Sequence, residues 1–185
     1  MKHAIVAGLV VLAMTATPAL AHSWKRSAST KQITDQEFVT NAVNANMAEV
    51  ELGKLAERKT SNGEVRDFAK LMVADHQQAL DDLKPIAKNQ NVNIPTILAA
   101  KNQALRDRLD NLSGEAFDRA YMNAMVSDHR SDVAEFRTEA ENAKVAEIRQ
   151  YASHTLSTLE DHLKLAREID HSVAAKAEPR GGKTS

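Results

Sequence analysis

Four long stretches of this chain repeat inward residues three and four positions apart, with few interruptions. The first runs through Phe38, Ala42, Ala45, Glu49, Leu52 and Ala56. The second runs through Val65, Ala69, Met72, His76, Ala79 or Leu80, and Leu83. The third carries Met122, Met125, His129, Val133, Phe136 and Ala140, with Phe117 and Tyr121 on its flank. The fourth carries Val145, Ile148, Ala152, Thr155, Leu159, His162, Ala166 and Ile169. That spacing places each set on one face of an α-helix. Runs of roughly 23 to 28 residues make helices of about 35–40 Å. Helices of that length must bury their stripes against one another, so the expected fold is all-α, a bundle of four long helices.

Punctuation between the stripes sets the connections. Thr34 and Glu37 form a capping box, and Ile33 with Phe38 a hydrophobic staple, at the first helix start. Thr60-Ser61-Asn62-Gly63 supports a tight reversal, and Ser61 with Glu64 reads as a second capping box. Gly53 inside the first helix carries a propensity cost, which a close helix approach would explain. Pro85 predicts a kink or an end in the second helix. The polar run 89–93 is a loop, and a shorter helix is expected from Pro95 or Thr96 to about Leu109. The segment 88–113 is the longest connection, while the junction at 141–143 is short. Two antiparallel hairpins joined by one crossover fit a ferritin-like four-helix bundle with a short extra helix in that crossover. The direction of the third long helix stays open at this stage.

The ends read differently from the middle. Lys2 and His3, the apolar run from Ile5 to Met14 and the Ala19-Leu20-Ala21 cleavage pattern make residues 1–21 a signal peptide. Residues 22–32 read as a flexible leader, 33–173 as the helical domain and 174–185 as a disordered tail. The expected location is therefore the periplasm, with peripheral envelope association open and no transmembrane segment in the mature chain. The chain has no cysteine, which removes disulfides, thiolate ligands and a cysteine nucleophile. A formal net charge of −1 and the lack of a basic stripe argue against nucleic acid as a partner. No glycine-rich phosphate loop, H-E-x-x-H or G-x-S-x-G sequence is present, so no enzyme class is indicated and a binding role is favoured over catalysis.

Polar residues on the apolar stripes carry the remaining chemistry. Met72-Val73-Ala74-Asp75-His76 recurs as Met125-Val126-Ser127-Asp128-His129. Counted from the connections, Glu49, His76, His129 and His162 fall within about two helical turns of one layer. Polar groups in such a layer must be paired or ligated. One reading is a transition-metal site on Glu49, His76, His129 and His162, with copper, zinc, iron and nickel as candidates. Met72 and Met125 lie one turn from the histidines and offer soft sulfur for copper. Asp75 and Asp128 point about 100° away from the neighbouring histidine, where they could orient a histidine of another helix. The alternative is a metal-free Glu–His hydrogen-bond network inside a structural or protein-interaction module, with a protein partner or a homo-oligomer. Tyr151, His154 and His171 read as surface or boundary residues.

The two Met-x-x-Asp-His segments, Phe38-Val39, the run from Glu49 to Leu55, Ile148-x-x-Tyr151-Ala152 and His162-Leu163 together resemble a bacterial exported family, domain of unknown function 4142 (DUF4142). The resemblance spans about Asp35 to Ile169. It implies an outer-membrane or periplasmic protein with a ferritin-like helical fold, and it implies no activity. Positions matching the family pattern are Glu49, Met72, Asp75, His76, Tyr121, Met125, Asp128, His129 and His162. Di-iron sites of ferritin-like proteins use Glu-x-x-His pairs. Here Val73, Val126 and Leu159 stand three residues before the histidines, which disfavours iron oxidation or storage.

Overall fold

Each apolar stripe becomes a helix in the computed structural model, which describes residues 33–177. The signal-peptide and leader readings (residues 1–21 and 22–32) lie outside the described residues, as do 178–185 of the tail. The order is α1 (Asp35–Lys59), α2 (Gly63–Asn89), α3 (Ala100–Asp110), α4 (Gly114–Asn142) and α5 (Ala146–Ala177). The four long helices have 25, 27, 29 and 32 residues, and α5 continues past Val173. No helix among the described residues is long and apolar enough to cross a membrane.

The fold is all-α, built from two tightly packed helix pairs, α1 with α2 and α4 with α5. Pairwise contacts then fix the directions. The start of α1 meets the far end of α4, where Phe38 and Phe136 pack edge to face at 4.9 Å. The end of α1 meets the start of α4, where Thr60 donates a hydrogen bond to Asp118. Asn89 at the end of α2 reaches Glu147 at the start of α5, and Ser172 near the end of α5 donates to Glu64 at the start of α2. Thus α4 is antiparallel to α1 and α5 is antiparallel to α2, which leaves α2 and α4 parallel. The crossover, with α3 in it, returns the chain along the α1–α4 side, where α3 packs on both helices.

Local chemistry explains the boundaries and corrects several of them. Thr34 caps α1 through the reciprocal box with Glu37, as its sequence predicts. At α2 the cap is Asn62 rather than Ser61, its carbonyl oxygen accepting from the Glu64 N–H at 3.0 Å. Thr60 is drawn inward to Asp118, and its hydroxyl also accepts from the Asn62 N–H. Pro85 does not end α2, which runs on to Asn89. The short helix starts at Ala100, later than Pro95 or Thr96, and Ile97 before it is 77% exposed. The Asp35 carboxylate crosses from α1 to accept the Lys144 and Val145 N–H groups at 3.1 and 2.7 Å, satisfying donors where α5 begins. Gly53 marks a close approach within the first pair. A Cβ there would meet Val73 Cγ2 at 2.8 Å and the Ala69 carbonyl oxygen at 3.0 Å.

The buried apolar residues form two clusters. One holds Phe38, Val43, Leu80, Leu83, Val133, Phe136, Ile148 and Leu159. The other holds Leu52, Phe68, Met72, Phe117, Tyr121, Met125 and Ala166. Burying each large side chain contributes about 1.5–3 kcal/mol, so these clusters supply the main driving force. Between Met72 and Leu80, between Met125 and Val133, and between Leu159 and Ala166, the stripes carry histidine. A polar layer therefore divides the core, and the packing on either side holds it in place.

Candidate metal centre

His76 on α2, His129 on α4 and His162 on α5 converge in that layer. Their ring centroids form a triangle with all three sides 5.4 Å. One ligand nitrogen from each ring lies within 4.8 Å of the other two. The residues are only 4%, 0% and 2% exposed, so bulk water does not solvate these nitrogens.

Hydrogen bonding fixes which nitrogen of each ring carries the proton. His129 Nδ1 lies 2.9 Å from the Met125 carbonyl oxygen, an acceptor, so Nδ1–H donates and Nε2 keeps a bare lone pair. His76 Nδ1 lies 2.9 Å from Asn46 Oδ1. The Asn46 amide is oriented by its Nδ2, which donates to the Ala42 carbonyl at 2.8 Å and to the Tyr151 hydroxyl at 3.2 Å. Oδ1 therefore accepts from His76 Nδ1–H, and His76 Nε2 is the second bare lone pair. The Tyr151 hydroxyl donates onward to the Ala79 carbonyl at 3.3 Å. His162 Nε2 lies 2.9 Å from Asp75 Oδ2 and donates to it, while His162 Nδ1 is buried with no hydrogen-bond partner.

The two Nε2 atoms of His76 and His129 face each other at 3.4 Å. With both rings protonated on Nδ1, that contact sets lone pair against lone pair. A proton between them would relieve the repulsion, but burial makes it unfavourable. Burial, then repulsion from the other two imidazoles, pushes His76 well below the usual imidazole range. Burial and the His162 ring push His129 down to about 4. Burial also lowers His162, against the opposing pull of Asp75. At neutral pH the cluster is three neutral imidazoles, each anchored through one N–H, with lone pairs left over at the centre. That donor set suits a metal ion, and the N–H anchors on Asn46, Met125 and Asp75 are the kind that hold metal-binding histidines in orientation.

The remaining sequence candidates separate into two groups. Asp75 is where its phase predicts, orienting a histidine of another helix. Asp128 is not: it makes no hydrogen bond to the trio and lines a cleft with Glu49 and Asp132. Glu49 is buried but does not join the three imidazoles. It sits three residues after Asn46, about 60° around the helix and most of a turn along it. Asn46 takes the direction of His76, and Glu49 takes that of the cleft beside α4. Met72 and Met125 are fully buried among the apolar residues of one core cluster. Two residues that matter were missed. Asn46 counts as far before the α1–α2 turn as His76 does after it, and an amide at that height was the available signal. Tyr151 reads as a boundary residue, yet it is buried at 7% exposure and braces Asn46.

Comparison with known proteins agrees with this architecture. The family model for DUF4142, a domain of unknown function, matches residues 20–169, and the chain belongs to that family. No curated protein matches it. Among solved structures it is similar to a DUF305 protein from Streptomyces coelicolor, with TM-score 0.65 and 14% identity, covering 76% of this chain and 94% of that one. It is also similar to CopM in the Cu(II)-bound form, with TM-score 0.64 and 16% identity, covering 76% and 98% of the two chains. The Ag-bound form of CopM aligns with TM-score 0.56 and 16% identity, over 82% and 100%. At these identities the likeness is one of fold.

Proposed function

We propose that this DUF4142 protein is an exported copper-binding helical protein, holding one ion on His76, His129 and His162. The observation that carries the reading is the convergence of three buried imidazoles, one nitrogen of each within 4.8 Å of the others, with His76 and His129 anchored through Nδ1–H and His162 Nδ1 left without a partner. A metal-free network needs a shared proton there, which burial opposes. Imidazole nitrogen suits copper, zinc, iron and nickel alike, and copper(II) is the tightest of these divalent ions at a given nitrogen site. The three ligands are neutral. Burying a singly charged ion among neutral ligands costs less than burying a doubly charged one, so Cu(I) fits best and Ag(I) is its natural stand-in. CopM, similar in fold, has Cu(II)-bound and Ag-bound forms, which supports copper as the metal and silver as a probe for it.

The wider setting is read the same way. Two antiparallel hairpins and one long crossover favour a ferritin-like four-helix bundle. The signal-peptide pattern of residues 1–21 favours the periplasm, as a place to hold or buffer copper in the envelope. The burial of all three rings favours binding over turnover.

Protein purified without a histidine tag, stripped with chelator and titrated with Cu(I) under reducing conditions, then with Ag(I) and Zn(II), tests the proposal. One Cu(I) or Ag(I) per chain is expected, lost in His76→Gln and His129→Gln variants whose circular dichroism stays helical. No stoichiometric ion, or unchanged binding in both helical variants, would sink the reading.

A further inference from the structure

A second site lies beside the trio, on the flank that α3 covers. A cleft of about 350 Å³ opens between α1, α3 and α4. Glu49 of α1 lines it, buried at 2% exposure, with Oε2 lacking any hydrogen-bond partner. Asp128 and Asp132, one turn apart on α4, line the same space, as does Glu135. From α3, Lys101 and Asn102 close the other wall, and Asn102 Nδ2 donates to the Asn44 carbonyl at 3.3 Å. The cleft therefore brings together four carboxylates and one ammonium group.

A buried carboxylate oxygen with no donor is costly, and here its neighbours add to the cost. Burial first, and the Asp128 and Asp132 charges next, hold Glu49 well above the carboxylate range. Burial and Asp128 push Asp132 up to about 7, against the pull of Lys101. A cation from solvent would satisfy the orphaned oxygen and relieve the repulsion together.

We propose that this cleft binds a hydrated divalent cation of the magnesium and manganese class, held by Glu49, Asp128 and Asp132. All the side-chain donors are hard oxygens, which suit those ions rather than copper. Unlike the imidazole trio, these carboxylates are not drawn within 4.8 Å of one another. The volume and that separation fit an ion that keeps several waters, as magnesium does. Lys101 is the built-in competitor: its exposed ammonium group already acts on Asp128 and Asp132, and a bound ion works against that same positive charge. The site does not depend on the copper reading, because it shares no ligand with the trio.

Titration of the chelator-stripped full chain with Mn(II), followed by loss of the free-ion electron paramagnetic resonance signal, tests this. One site is expected, with Kd on the order of 10⁻⁴–10⁻³ M, the range of weak extracellular oxygen-ligand sites. Asp128→Asn/Asp132→Asn should weaken it at least about tenfold, and Lys101→Ala should tighten it about threefold or more, as Coulomb interactions at partial burial require. Glu49→Gln should weaken it while leaving the fold intact, and His76→Gln should leave Mn(II) binding unchanged. No bound Mn(II) at several millimolar overturns the site. So does equal binding in the Asp128→Asn/Asp132→Asn protein, or loss of Mn(II) on His76→Gln, which would place the ion on the imidazoles.

Discussion

Replacing His129 by glutamine should change how the metal-free protein responds to acid, by an amount the structure allows to be worked out. An unfolded histidine takes up a proton near pH 6.5, whereas burial and His162 hold folded His129 down to about 4. Between those values the unfolded chain binds a proton that the folded chain refuses, so stability falls as pH falls. The 2.5-unit gap corresponds to about 3 kcal/mol. That contribution is complete above pH 6.5 and gone below about pH 4.

The absolute profile of the protein conceals this contribution, because the acidic cleft has the opposite sign. Asp132 titrates at about 7 when folded and near 3.8 when unfolded. Over that window the folded state holds the extra proton, so acidification stabilises it. The full shift corresponds to about 4 kcal/mol, less after screening of a side chain still in partial contact with water. Glu49 acts in the same direction. The two effects oppose each other between pH 7 and 4. The difference between the parent protein and His129→Gln cancels the carboxylates, which both proteins share. Urea unfolding in the presence of chelator at pH 7.5, 6, 5 and 4 reads it directly. With m of about 1–3 kcal/mol per molar urea, the parent's midpoint should drop relative to the variant's by about 1–3 M across the series. A midpoint difference that stays constant with pH would show that His129 titrates normally when folded, and the argument for three bare lone pairs would fail with it.

Three further substitutions probe the supports. Asn46→Leu strands the His76 Nδ1–H and removes the bond to Tyr151. It should cost about 1–3 kcal/mol in thermal or urea unfolding and weaken Cu(I) binding about 10–100-fold in a chelator competition. Asp75→Ala releases His162 from a half-exposed carboxylate. It should weaken Cu(I) binding about tenfold or more and, by stranding the His162 Nε2–H, cost about 1–3 kcal/mol, the lower end if water replaces the carboxylate. Gly53→Ala gains helix propensity of about 1 kcal/mol, but its Cβ meets backbone at Ala69 and the Val73 side chain. A net loss of about 1–3 kcal/mol is expected from overpacking, read as a lowered unfolding midpoint with metal binding retained.

Periodicity made much of the helical layout legible. A stripe longer than six turns has one economical use, and Thr60–Gly63 and 141–143 leave only room for tight turns. The boundaries that shifted did so where a tertiary partner outbid a local signal. Ser61 has the right spacing to cap α2, but Thr60 is pulled to Asp118 and Asn62 inherits the cap. Pro85 has the right chemistry to stop a helix, yet the apolar positions Leu83, Ile86 and Ala87 remain buried and the turn continues. In both cases the deciding contact comes from outside the local sequence.

The candidate site shows the same limit at finer scale. Height along a helix is legible from residue counts, and it grouped Glu49 with the three histidines. Rotation about the axis is less so, because an error of one residue is 100°. On α1 that rotation decides the chemistry. Asn46 and Glu49 are separated by less than a turn and about 60°, and just one of them faces the imidazoles. Asn46 does, and a neutral amide there anchors His76 without adding charge. A glutamate in its place would bring a negative charge into the layer, raise the histidine proton affinities and favour a doubly charged ion or a shared proton. With Glu49 turned into the cleft, neutral imidazole nitrogen and hard anionic oxygen are kept on separate flanks of α4. Exchanging Asn46 for aspartate should therefore move the trio's preference from Cu(I) toward Zn(II), a shift that competition between the two ions would read.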